Sequence, residues 1–110
     1  MAAASLAFAG PANATVTPVS CPTNGVTIVD WPGANNYCYA GVGVLGIHIN
    51  VPDKISSNWN HGYSNYYYGI WQETCQCVQD IDTSRTYYAN GVVYYYDNNS
   101  DYAYSVVISS

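Results

Sequence analysis

Apolar and polar residues alternate along much of this chain with a period of two. In residues 47–51 (IHINV), Ile47, Ile49 and Val51 fall on one side and His48 and Asn50 on the other. That is the pattern of a half-buried β-strand, and it makes His48 a surface residue. Residues 26–31 alternate more loosely and predict another strand. Residues 37–39 predict a short strand carrying Cys38, and 66–71 (YYYGIW) a further one. Residues 73–78 place Cys75 and Cys77 on a strand. Residues 86–88 and 92–96 flank Asn90-Gly91, a tight-turn signal between paired strands. Residues 102–108 predict the closing strand. Between these, 32–36 (PGANN), 40–46, 52–54, 55–65, 79–85 and 97–101 (DNNSD) read as turns and loops. Residues 15–25 (TVTPVSCPTNG) form an extended, unpaired lead-in. Seven to eight short strands at regular spacing predict an all-β sandwich or small barrel.

Composition sharpens this picture. A chain of 110 residues allows one domain. Residues 1–14 (MAAASLAFAGPANA) are small and apolar and end in Ala12-Asn13-Ala14, an export-cleavage pattern. Beyond them the chain has no Phe and a single Leu, Leu45. Its apolar residues are mainly Val, Ile, Tyr and Trp, which suit a pleated sheet. The division predicted is therefore 1–14 as a signal-peptide remnant, 15–25 as an extended N-terminal segment and 26–110 as one domain. The formal net charge is −5, and Lys54 and Arg85 are the only cations. Two cations neutralise few phosphates, so nucleic acid and anionic membranes are poor partners. No later apolar run reaches the roughly 18 residues of a membrane span.

Four cysteines, Cys21, Cys38, Cys75 and Cys77, in a short export-like chain predict two disulfides. Cys75 and Cys77 sit two apart on one face of a strand, so their side chains run parallel, and each is expected to pair outward with Cys21 or Cys38. The spacing Cys75-Gln76-Cys77 is not a zinc spacing. The sequence also carries an internal echo. Asp53–Ser57, Gly62 and the triplet Tyr66-Tyr67-Tyr68 are followed by Asp80–Ser84, Gly91 and Tyr94-Tyr95-Tyr96.

From Cys38-Tyr39-Ala40 through Ile47–Val51, Asp53–Ser57, Asn58–Asn60 and Gly62-Tyr63, the chain resembles the secreted actinobacterial killer-toxin-like proteins of the βγ-crystallin group. The resemblance covers about a third of the chain. It implies a βγ-crystallin-like, disulfide-stabilised sandwich of two Greek keys, and a toxin acting on competitor cells. Some βγ-crystallins bind calcium through paired [ND]-[ND]-x-x-[ST]-S turns. Here that pattern implies Asp53 with Ser56 and Asp80 with Thr83 as weak calcium candidates, because Pro52 and Gln79 replace the first Asn or Asp. Ser57 and Ser84 read instead as turn-fixing serines that bond nearby backbone.

No catalytic constellation stands out, so no enzyme and no required cofactor are expected. His48 and His61 are the only histidines, and nothing in the spacing of the serines or acids selects a nucleophile and its base. Glu73 and Asp80 are the acid pair a glycosidase would need, but a domain this small leaves little room for a sugar-chain cleft. The 13 tyrosines are too many for the core alone. Trp59, Tyr63 and Tyr66, grouped around a polar loop, are the candidate contact surface. The expected partner is a protein or a cell-surface glycan. The alternatives are an adaptor subunit docking through residues 15–25 by strand addition, and a calcium-stabilised extracellular domain.

Overall fold

The computed structural model describes residues 15–33, 35–95 and 100–109. The export-like segment 1–14, Tyr96 and residues 97–99 of the DNNSD turn lie outside them. The described residues form nine strands and no helix: β1 (Thr17–Val19), β2 (Val26–Asp30), β3 (Asn36–Ala40), β4 (Gly43–Asn50), β5 (Pro52–Ser57), β6 (His61–Gln72), β7 (Cys77–Tyr87), β8 (Gly91–Tyr94) and β9 (Ser100–Ser109). No helix among them is long and apolar enough to cross a membrane.

Two sheets share these strands, in the orders β1-β3-β2-β5-β8 and β4-β9-β6-β7. The connection repeats. The neighbours β2 and β3 pair in the first sheet, β4 crosses to the second, and β5 returns beside β2. The neighbours β6 and β7 then pair in the second sheet, β8 crosses to the first, and β9 returns beside β6. The echo in the sequence is not this repeat. Asp53–Ser57 lies on β5, a returning strand, whereas Asp80–Ser84 lies on β7, the second strand of a hairpin.

Alternation along the strands builds one core from both sheets. Val26, Ile28, Tyr39 and Ile55 come from the first, and Ile49, Tyr66, Ala103, Val106 and Ile108 from the second. Tyr87 and Tyr95 close it at the strand ends. With no Phe or Leu to spare, tyrosine is the bulky core residue, and the rings of Tyr66 and Tyr95 meet edge to face at 4.9 Å. The Tyr87 hydroxyl donates to the Val107 carbonyl at 2.8 Å. Gly62 lies directly beneath: a Cβ there would collide with the Val107 carbonyl oxygen, so this part of β6 requires glycine.

The sheet crossings are sharp. Val51 alone separates β4 from β5, and its φ is +48°. Its N–H donates to the Asp101 carbonyl at 2.7 Å, and its own carbonyl accepts from Trp31 N–H at 2.8 Å. A β-branched residue in the left-handed region costs about 1–2 kcal/mol, and here a hydrogen bond on each side holds it. The β3–β4 crossing carries positive φ at Gly41 and Gly43, and the β7–β8 crossing at Asn90. Asn90-Gly91 therefore makes the tight turn expected of it, but the turn joins strands of different sheets.

Three further expectations need correction. The lead-in is not unpaired: β1 pairs with β3, Val16 is buried, and β1 forms the outer strand of the first sheet. Residues 79–85 are not a loop but part of the long strand β7. The disulfides do not cross between the halves: Cys21 pairs with Cys38 and Cys75 with Cys77. The strand-face argument failed because Cys75 stands in the β6–β7 turn, where Gln76 at φ +56° brings the two Cα atoms to 5.2 Å. In the chain-entropy picture, the Cys21–Cys38 loop contributes about 3 kcal/mol and the short Cys75–Cys77 loop about half that.

The two cations give a direct check, because trypsin cuts after Lys54 and Arg85. Unreduced, denatured protein should release the fragment 55–85 carrying Cys75–Cys77, separate from the fragment carrying Cys21–Cys38. Mass spectrometry that finds the two fragments covalently joined would contradict this pairing.

Candidate aromatic binding end

The end of the molecule at the β5–β6 and β7–β8 connections carries two strongly exposed aromatics, Trp59 and Tyr88. At the end of β5, the Ser57 hydroxyl donates to the Asn60 carbonyl at 2.6 Å and accepts from Asn60 N–H at 3.0 Å. This is the backbone-fixing role expected of Ser57, and it closes a short turn with Trp59 at its tip. The side chain of Asn58 donates to the Thr23 carbonyl, and that of Asn60 to the Ser109 carbonyl. The turn is thereby tied to both sheets, and Trp59 is left 70% exposed.

A second turn adjoins it. Gly91 N–H donates to the Tyr88 carbonyl at 3.1 Å, and Asn90 N–H donates to the Asn58 carbonyl at 3.0 Å. Tyr88 is 65% exposed. Trp59 and Tyr88 are the most exposed aromatics among the described residues, and one backbone hydrogen bond fixes the turns that carry them. His61 is exposed at the start of β6, next to the same turn. Sequence reasoning found Trp59 but missed Tyr88 and Asn90. The signal was the Asn-Gly pair, read as a hairpin within one sheet.

The other two expected contact residues separate. Tyr63 is partly exposed on the outer face of β6. Tyr66 is 1% exposed and belongs to the core, so it is not a contact residue. In β6 the even positions 62, 64 and 66 point inward, and the middle residue of the tyrosine triplet, Tyr67, points outward.

That outer face carries an aromatic ladder. His48 stacks on Tyr102 at 4.6 Å, Tyr102 meets Tyr67 at 5.1 Å, and Tyr67 meets Tyr104 at 5.1 Å. The pairing of β6 with β9 shifts at Asn65/Tyr66, where Tyr104 is the extra residue on β9. Tyr104 donates to Asp82 at 2.8 Å, and this bond, with desolvation, raises the phenol pKa to about 12. Burial and the neighbouring Asp80 raise the Asp101 carboxyl above its ordinary range. Because the rings cover one another's faces, the ladder braces the sheet more than it offers flat surfaces to a ligand.

The calcium candidates lie on extended backbone. Asp53 and Ser56 are in β5 and Asp80 and Thr83 in β7, in different sheets, so they do not form the paired turns on which the assignment rested. Among the described residues no group of three or more His, Cys, Asp or Glu side chains is placed to hold a metal ion.

Compared with known proteins, the chain matches no protein-family model and no curated protein.

Tyr66→Ala should lower stability by about 3–5 kcal/mol, as large core truncations do. Tyr63→Ala should cost less than about 1 kcal/mol, as most surface changes do. Urea denaturation of both variants checks this, and equal losses would contradict the inward placement of Tyr66.

Proposed function

We propose that this chain is a secreted, non-catalytic binding protein of the killer-toxin type, with the double Greek key of the βγ-crystallin group, and that it engages a glycan on the surface of competitor cells. The observation that carries the binding reading is the pair of adjoining turns presenting Trp59 and Tyr88 to solvent. Aromatic rings stack on the apolar faces of sugars and lose little conformational entropy in doing so. Asn90 and His61 add polar groups at the same end. A chain with two cations and few charges overall suits a neutral target better than an anionic one.

The Greek-key assignment is supported by the strand orders, in which each half supplies a hairpin, a crossing strand and a returning strand. Export is supported by the sequence pattern of residues 1–14 and by two disulfides, which persist in oxidising compartments. The toxin assignment rests on the sequence resemblance.

Purified protein applied to yeasts, filamentous fungi and bacteria should inhibit growth or alter morphology in at least one group. Trp59→Ala and Tyr88→Ala should each weaken that effect about tenfold or more, as hot-spot truncations do, with little change in melting temperature. No effect on any organism of a broad panel would overturn the toxin reading. Full potency of both variants would overturn the assigned surface.

A further inference from the structure

Among the described residues, the Cys75–Cys77 disulfide lies at the far end of the β6–β7 pair. Strand β9 accompanies β6 only as far as Tyr68, which faces Ser100. Beyond that row, among the described residues, 69–72 pair only with 77–80, so β6 and β7 run on as a two-stranded arm. The disulfide sits at its tip, in the turn at residues 73–76, and both cysteines are exposed. Trp71 and Val78, a directly facing pair, are also exposed, as is Ile70. Gly69 leaves room for the Val78 side chain, because a Cβ there would come within 2.6 Å of Val78 Cγ1.

The two disulfides differ in what they do for the fold. Cys38 is buried on β3, and its bond to Cys21 anchors the lead-in beside the sheet. Cys75–Cys77 joins residues two apart, already held in adjacent positions by the turn, and it ties no other element down. An exposed disulfide with a small structural role is the labile kind.

We propose that Cys75–Cys77 is a thiol-exchange site, an exposed disulfide that oxidises a dithiol substrate. One thiolate of the substrate attacks Cys75 or Cys77 Sγ. The Cys75–Cys77 bond breaks, a mixed disulfide forms, and the other cysteine leaves as a thiolate and takes up a proton. The second substrate thiol then loses its proton and attacks the substrate sulfur of the mixed disulfide. The products are a substrate disulfide and two cysteine thiols, so two electrons pass from substrate to protein. The charged groups near the tip, Glu73 and Asp80, are acidic, and Glu73 accepts from Trp71 Nε1–H at 3.1 Å. They give the departing thiolate no cation. The substrate's own thiolate therefore sets the rate, which rises with pH toward the thiol pKa of about 8.5. This inference goes beyond the glycan-binding reading and does not rest on it.

Folded protein titrated with dithiothreitol, alkylated and digested with trypsin tests it. The fragment 55–85 should take two labels at about tenfold lower dithiothreitol than the fragment containing Cys21 and Cys38. A parallel titration with reduced glutathione, a monothiol, should label the same fragment less completely at equal thiol, since it lacks the second thiol in cis. Simultaneous reduction of both disulfides, or no label in 55–85 until the protein unfolds, would overturn the proposal. Cys75→Ser/Cys77→Ser should remain folded by its melting curve and lose all oxidation of a dithiol peptide. Undiminished oxidation by that variant would also overturn it.

Discussion

Each sheet is completed by a strand from the other half of the chain. Strand β8 closes the edge of the sheet built by β2, β3 and β5, and β4 closes the edge of the sheet built by β6, β7 and β9. Neither half can bury its apolar face alone, so the core exists only when both halves are in place. The exchange depends on corners that turn within very few residues. At Val51 a single residue changes sheets, and its two backbone hydrogen bonds reach Asp101 in one sheet and Trp31 beside the other. Those bonds hold a valine where glycine or asparagine is usual. A fold dominated by such non-local pairings is expected to fold slowly for its size.

The strand content was legible because alternation is a local property. Residues 26–31, 37–39, 47–51 and 102–108 all fall within or beside observed strands. The errors came where local chemistry has two meanings. Asn90-Gly91 announces positive φ, which serves a hairpin or a corner equally well. Asp53–Ser57 and Asp80–Ser84 have turn composition but lie on β5 and β7, where cross-strand pairing outweighs propensity. The Cys75-Gln76-Cys77 spacing was read with strand geometry, and one residue with φ +56° reversed the conclusion. The tyrosine triplet showed that two rings share a face, and the register that decides which face is buried is set by strands distant in sequence.

The proposed contact surface was half legible. Trp59 stood out as an aromatic in a polar loop, and Ser57 was recognisable as a turn-fixing residue. Tyr88 and Asn90 were not, because their place beside Asn58 follows from the crossing between β7 and β8. The three tryptophans end up in three separate settings. Trp31 follows β2 in a turn where Asp30 accepts from Asn35, Trp59 tips the β5–β6 turn, and Trp71 lies on the arm. The proposed binding end and the proposed thiol-exchange arm thus lie in different parts of the fold.

That separation allows the contact surface to be read in a single experiment. Hydroxyl-radical footprinting of the protein bound to target cells reports on all three tryptophans at once. The account predicts strong protection of Trp59, with Trp31 and Trp71 oxidised as in the free protein. Protection of Trp31 or Trp71 with Trp59 left reactive would contradict it.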